Sequence, residues 1–287
     1  MRVTKFWVAA GALVASHATF AQEFNGGLPA GWTCVGNCGT LGADGDVGLS
    51  GLAGSTAYGY VSSAGAPTGN ALSISPFDTL GGLTGGGLGQ ETNGSRLRSN
   101  TFAAAAGDSL DFRFNYVSSD GNAQFVEYAW ALVRDASDLS VEALLFTGRT
   151  NPDGAPVPGF GLPATAAVVN GGSPVSMSGT TGPNWAPLQE YSGDCFDVGC
   201  GFTGWITSQY AFASGGNFIL EFGALNWADE LFHSGLAFDG ITIAGVPIVD
   251  VDPTPNPVPA IPEPSTYALM LAGLSAVAWM ARRRKQA

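Results

Sequence analysis

Lysine and histidine are almost absent from the central part of this 287-residue chain. Between positions 22 and 264 the only lysine or arginine side chains are five arginines, against 23 acidic ones. This part therefore carries a formal charge of −18, whereas the whole chain carries −12. Such a charge repels phosphate backbones and excludes nucleic-acid binding. The lack of lysine excludes a Walker A loop and a Schiff-base lysine, and the single histidine, His233, excludes a two-histidine zinc site.

The remaining basic residues lie at the two ends of the chain, and those at the start belong to an export signal. Arg2 and Lys5 precede an apolar run over residues 6–16, and small residues follow at positions 19 and 21. This order is typical of a secretory signal peptide. We therefore expect residues 1–21 to be removed by signal peptidase.

The other end of the chain has the pattern of a membrane anchor. Residues 251–264 form a proline-rich linker, because proline fixes φ and removes a backbone donor. Residues 265–281 contain no charge and predict a single transmembrane helix at the lower limit of length. Residues 282–287 follow as a basic tail with Arg282, Arg283 and Arg284, which the positive-inside rule places in the cytoplasm.

The anchor is preceded by Pro262, Glu263 and Pro264. This triplet, an apolar helix and a terminal arginine cluster together resemble the PEP-CTERM sorting tail of Gram-negative bacteria. The resemblance implies recognition by an exosortase, a membrane protease-transpeptidase, with Pro262, Glu263 and Pro264 as the recognition motif. It further implies export across the inner membrane, transient anchoring, and release to the cell surface or extracellular matrix.

Residues 22–250 predict one all-β domain. Leu110, Phe112, Phe114 and Tyr116 alternate with polar residues, as in a strand with one buried face. Further strands are expected over residues 126–132, 141–147, 218–224 and 236–246, with weaker candidates at 57–62 and 95–102. Short strands separated by glycine-rich turns predict a jelly-roll-like β-sandwich.

Four cysteines lie in the exported part, and their even number favours disulfides. Three connectivities are possible. We favour two local bridges, Cys34–Cys38 and Cys195–Cys200, because their short loops are cheap to close. The alternative, a four-thiolate zinc site, is disfavoured because both spacings are wider than the usual CxxC.

Four carboxylates are candidate ligands for a structural Ca²⁺ ion. Asp44 and Asp46 flank a glycine, a loop arrangement that suits a hard cation, although an acidic turn explains it equally. Asp239 interrupts an apolar strand, where a carboxylate must be paired or coordinated. The opening stretch at residues 24–32 and the strand at 236–243 resemble secreted jelly-roll modules of the MAM, adhesin and carbohydrate-binding types. That resemblance implies Ca²⁺ between first and last strands, with Glu23 and Asp239 as ligands, although Asn25 stands where an acid is common.

Exposed aromatic side chains can stack on sugars, and Trp185 and Trp227, which lie in apparent loops, are our candidates for glycan binding. No catalytic constellation is visible. His233 and Ser234 are adjacent, which is poor geometry for a triad, and no G-x-S-x-G elbow exists. We therefore predict an exported, non-catalytic surface or matrix protein associated with exopolysaccharide or biofilm. The alternatives are a secreted polysaccharide hydrolase and a purely structural envelope protein.

Overall fold

The structure is a computed structural model that describes residues 23–77, 89–151, 154–170 and 181–251. The expected signal peptide, the transmembrane helix over 265–281 and the basic tail lie outside these ranges, as does the linker after Val251. Within the described ranges, no helix is long and apolar enough to cross a membrane.

The described residues form two antiparallel sheets packed face to face, with almost no helix. The first sheet has the strand order β1-β4-β12-β7-β8, and β5 also pairs with β12. The second has the order β2-β3-β13-β6-β11-β9, with β10 on β6 and β14 on β13. The strands are β1 (Thr33–Val35), β2 (Asn37–Leu41), β3 (Tyr58–Ser62), β4 (Glu91–Arg98), β5 (Phe102–Ala104), β6 (Ser109–Ser118), β7 (Tyr128–Asp135), β8 (Val141–Arg149), β9 (Val168–Asn170), β10 (Gly201–Phe202), β11 (Ile206–Ala211), β12 (Gly216–Trp227), β13 (Ser234–Ile243) and β14 (Val246–Pro247). One α-helical turn, α1 (Ala71–Ile74), and two 3-10 helices (Ala186–Tyr191 and Ile248–Asp250) complete the described elements.

The predicted alternation is confirmed in β6. Leu110, Phe112, Phe114 and Tyr116 are all buried in the core between the two sheets. Successive side chains of a strand point to opposite faces, so the polar residues between them face outward. The sandwich-like architecture predicted for the body is therefore observed.

The first sheet is buried on both faces, which simple alternation did not predict. On β7, Ala129 and Ala131 face the main core, whereas Tyr128 and Trp130 pack against a second cluster. That cluster includes Ala71, Ile74 and Phe77 from the segment that covers this face of the sheet. The covering segment explains why β7 is apolar at nearly every position.

The last long strand is shorter than expected. The pattern predicted a strand over 236–246, but β13 ends at Ile243. Ala244 and Gly245 have φ values of 50° and 77°, which form a turn before β14. This hairpin returns β14 against β13, with Thr242 opposite Pro247.

Candidate functional site

Both disulfides have the predicted local connectivity. Cys34 and Cys38 are joined with a Cα–Cα distance of 6.0 Å, and Cys195 and Cys200 with one of 5.8 Å. Cys34 lies in β1 of the first sheet, whereas Cys38 lies in β2 of the second. The first bridge therefore connects the two sheets along one edge of the sandwich.

Glu23 and Asp239 are held by donors from the protein itself. Glu23 Oε1 accepts a hydrogen bond of 2.7 Å from the backbone N–H of Ile241 in β13, so Glu23 does contact the last long strand. Asp239, which is fully buried, accepts hydrogen bonds from the hydroxyls of Ser50 and Ser55 and from the N–H of Gly240. These bonds satisfy the carboxylate that interrupts the apolar strand.

Asp44 and Asp46 position a neighbouring loop. They lie in a tight turn closed by backbone bonds between Asp44 and Val47. The Asp44 carboxylate accepts from the N–H of Ala186 at 2.5 Å, and that of Asp46 accepts from the N–H of Asn184 at 2.8 Å. The turn thus fixes the segment that carries Trp185, as the alternative interpretation of an acidic turn predicts.

The four proposed calcium ligands do not gather at one point. Glu23 and Asp239 lie near β13, whereas Asp44 and Asp46 bind the loop at 184–186. In the part of the chain that the structure describes, no group of three or more His, Cys, Asp or Glu side chains is placed to hold a metal ion. The geometry gives the four-residue site no support, and Ca²⁺ binding at Glu23 and Asp239 stays a prediction.

The two tryptophans chosen for glycan binding are buried. Trp185 is 1% exposed, and its indole N–H donates to the Tyr58 hydroxyl at 2.9 Å. Trp227 is 7% exposed and packs 5.0 Å from the Arg149 guanidinium. Neither ring presents a free face, so the expectation that they are exposed in loops is corrected: both pack into the body.

Another group of aromatic rings lies at one end of the sandwich, where Phe196 is exposed and the other three rings are half-buried. We call this group the aromatic platform; its members are Phe125, Tyr191, Phe196 and Phe232. Ring centroids are 5.5 Å apart for Phe125–Phe196, 5.0 Å for Phe196–Phe232 and 4.6 Å for Tyr191–Phe232. Phe196 is 46% exposed.

The loop that presents Phe196 is tied at several points. The disulfide Cys195–Cys200 closes it, and the N–H of Phe196 donates to Ser119 O at 3.0 Å. Phe232 has a φ of 46°, a left-handed conformation that a bulky residue adopts only when its surroundings impose it. The platform is therefore a fixed surface.

Carboxylates border the platform. Burial raises the pKa of Tyr191, and the charges of Glu190, Asp229 and Asp194 raise it further. Asp197, next to Phe196, accepts a hydrogen bond from the side-chain amide of Asn122 at 2.9 Å. Glu190, Asp194 and Asp197 are exposed beside the rings, so this surface is apolar at its centre and acidic around it.

A buried group of polar side chains lies at the same end, inside the sandwich. We call it the interior polar cluster; its members are Ser118, Asp120, Glu127, Asn226, His233 and Ser234. All six are at most 4% exposed. Glu127 Oε2 accepts from the Ser234 hydroxyl at 2.5 Å and from the Ser118 hydroxyl at 3.3 Å. Asn226 Nδ2 lies 3.1 Å from Nδ1 of His233, and Tyr191 of the platform packs against the His233 ring.

The carboxyl groups of this cluster are held in their neutral form. Burial raises the pKa of Glu127 well above its ordinary value, and the nearby Asp120 raises it further. Burial likewise raises the pKa of Asp120 to about 8; its hydrogen bond from the Asn122 N–H lowers this pKa, and the charges of Asp229 and Asp197 raise it, but burial has the largest effect. Burial lowers the pKa of His233, so its ring is neutral.

Sequence reasoning missed both the platform and the interior polar cluster. Glu127 directly precedes β7, and Asp120 lies in a turn after β6, where acidic residues are ordinary. A usable signal was present for the platform, because Phe196 is enclosed by Cys195 and Cys200 in a short exported loop. The sequence residues that resemble a sorting motif, Pro262 to Pro264 and Arg282 to Arg284, lie outside the described residues.

Comparison with known families confirms the expected tail. The PEP-CTERM protein-sorting motif matches residues 260–285. This motif indicates an exported protein that an exosortase processes at the membrane. No curated protein matches the chain.

Proposed function

We propose that this exosortase-sorted protein is a non-catalytic component of the cell surface or extracellular matrix that binds polysaccharide through the aromatic platform. The observation that carries the proposal is the exposed ring of Phe196 and the half-buried rings packed around it at one end of an exported β-sandwich. Aromatic rings provide flat apolar faces, and the C–H groups of a sugar ring pack on such faces.

The surroundings of the platform favour sugars over an apolar ligand. Asp194, Asp197 and Glu190 are exposed next to the rings and can accept hydrogen bonds from sugar hydroxyls. The same carboxylates repel acidic sugars. We therefore propose a neutral polysaccharide as the ligand.

The proposal is tested with exported protein in affinity electrophoresis against a neutral glucan and a uronate-rich polysaccharide. Retardation is expected in the neutral gel only. Phe196→Ala weakens the neutral interaction about 5-fold, because one stacking partner is worth about 1 kcal/mol. Val198→Ala is the matched control: Val198 lies in the same disulfide loop, is 72% exposed and is not aromatic, so binding is unchanged. Absence of retardation in either gel supports a purely structural envelope protein instead.

A hydrolase is the second candidate, because Asp120 resembles a general acid. Its pKa of about 8 keeps the carboxyl protonated at neutral pH, as proton donation to a leaving group requires. However, Asp120 is only 1% exposed and its partner Glu127 is fully buried, which leaves a sugar little access. Release of reducing ends from the retarding glucan, lost in Asp120→Asn, would favour the hydrolase over simple binding.

A further inference from the structure

Among the residues that the structure describes, two oxygen atoms of the interior polar cluster have no hydrogen-bond partner. They are Oε1 of Glu127 and Oδ1 of Asn226, and both are buried. The other oxygen of Glu127 is engaged by Ser234 and Ser118, and the amide nitrogen of Asn226 faces His233. A buried acceptor without a donor costs free energy, so the two atoms call for a common explanation.

The register of the first sheet brings these two residues together. Leu225 of β12 is opposite Tyr128 of β7 in the last registered pair, and Asn226 and Glu127 are the next residues of the two chain segments. Leu225 and Tyr128 belong to the outer cluster, so alternation turns Asn226 and Glu127 toward the opposite sheet. Glu127 accepts from Ser234, and Asn226 contacts the adjacent His233, so both side chains reach the start of β13. Two unsatisfied oxygens therefore project into the same part of the interior.

No positive charge in the described residues compensates Glu127. The charges that act on it are those of Asp120 and Asp229, both negative. Arg149 of the neighbouring strand β8 directs its Nε to Val126 O at 3.0 Å and its Nη1 to Phe160 O at 3.1 Å. The described residues thus provide no counter-charge for the carboxyl groups of the cluster.

The chemistry of the cluster suits one class of ligand. The unsatisfied atoms are a carboxylate oxygen and an amide oxygen, and the hydroxyls of Ser118 and Ser234 lie beside them. A hard cation prefers oxygen donors of these kinds, and Ca²⁺ accepts flexible geometry. Such an ion is small enough for an interior position. We propose that the interior polar cluster binds one calcium ion through Glu127 Oε1 and Asn226 Oδ1, with the Asp120 carboxylate supplying the second negative charge.

This site is separate from Glu23 and Asp239, and it does not depend on polysaccharide binding. Its proposed ligands are two acidic side chains together with neutral oxygen atoms, so it does not require a group of three acidic side chains.

The experiment uses the full chain, stripped with EDTA and titrated with CaCl₂ at pH 7. Equilibrium dialysis is expected to give one calcium per chain. The melting temperature is expected to rise by about 5–10 °C at calcium 100-fold above its Kd.

Glu127→Gln keeps the shape of the side chain but removes its charge, so calcium affinity is expected to fall at least 10-fold. In calcium-free buffer this variant melts no lower than the wild type, which shows that it folds. Glu142→Gln, at an exposed position of β8, retains wild-type calcium binding. The proposal is overturned if calcium leaves the melting temperature unchanged, as it would if the Asn226 amide were rotated to donate to Glu127. It is also overturned if Glu23→Gln, and not Glu127→Gln, abolishes the effect.

Discussion

Glu221 and Glu127 are two fully buried carboxyl groups on opposite faces of the same sheet, and their neighbours differ. Glu221 of β12 accepts from Arg98 Nε at 2.6 Å and from Arg134 Nε at 2.8 Å. The indole N–H of Trp130 donates to it at 3.2 Å. Burial alone would raise the pKa of Glu221, but the hydrogen bonds and charges of Arg134 and Arg98 outweigh burial and lower it.

Glu127 has the same burial, but no cationic side chain of the described ranges acts on it. Two hydroxyls donate to one of its oxygens, and the nearby charges are carboxylates. Its pKa is consequently raised instead of lowered. Burial disfavours the ionised carboxyl group at both positions. The neighbouring side chains then decide whether the pKa is raised or lowered. The described protein supplies cationic partners for Glu221, whereas the surroundings of Glu127 are suited to a ligand.

The largest expected effect is at Glu221. Glu221→Gln leaves two largely buried guanidinium groups without a counter-charge, and loss of one partner of a buried pair typically costs about 3 kcal/mol or more. Urea unfolding monitored by circular dichroism measures the loss. Glu142→Gln, exposed on the adjacent part of the sheet, serves as control and leaves the midpoint unchanged. Equal midpoints for wild type and Glu221→Gln would show that the arginine pair contributes nothing.

The second effect is a pH dependence that originates at Asp120. Its pKa is 3.8 when unfolded and about 8 when folded, so the folded state holds the proton more tightly. The resulting stabilisation is complete below pH 3.8 and is lost as pH rises through 8. In calcium-free buffer, stability is expected to fall by about 1 kcal/mol per pH unit between pH 6.5 and 8.

Asp120→Asn is expected to reduce this slope at least by half, because the amide does not titrate. Unfolding free energies at pH 6.5, 7.2 and 8.0 measure it. Asp194→Asn changes an exposed carboxylate near the same platform and keeps the wild-type slope. If the unfolding free energy of the wild type stays constant or rises between pH 6.5 and 8.0, the proposed difference in charge state between the surroundings of Glu127 and those of Glu221 is contradicted.

The smallest effect is at the hydroxyl that supports Glu127. Ser234→Ala removes the 2.5 Å hydrogen bond to Oε2, and a buried hydrogen bond of this kind is worth about 1 kcal/mol. The loss is several-fold smaller than at Glu221, because a neutral donor is replaced rather than an ionic partner. Thermal melting at pH 6.5 measures it. A loss as large as that of Glu221→Gln would show that hydroxyls and arginines support buried carboxyls equally well.

Much of the fold could be predicted from local patterns. Period-two alternation located β6 and β12, and the short cysteine spacings gave the disulfide pairing, because a short loop allows few alternatives. The boundary of β13 was wrong, since the turn at Ala244 and Gly245 interrupts an apolar run that reads as continuous. The second buried face of β7 also escaped prediction, because it depends on a segment some 50 residues earlier.

The candidate sites were less accessible to sequence reasoning. The residues around Trp185 have the composition of an exposed loop. In the structure, however, the Asp44 carboxylate holds this loop against the body, and the indole N–H of Trp185 donates to the Tyr58 hydroxyl. Glu127 lies in an unremarkable position before a strand. Its importance arises from its contact with Ser234 beside His233 and Asn226, which depends on the packing of strands far apart in sequence.

The sequence by itself determined the route of this protein and the class of its fold. The sorting motif at 260–285 is a contiguous signal, and alternation within a strand is a local property, so both can be read along the chain. Only the tertiary structure decided which carboxylates are paired. Arg98 and Arg134 meet Glu221 from strands on either side of β12, and Asp120 lies close to Glu127 with no arginine between them. Charge compensation depends on distances of a few ångströms between segments far apart in sequence, and only the packing of the two sheets sets those distances.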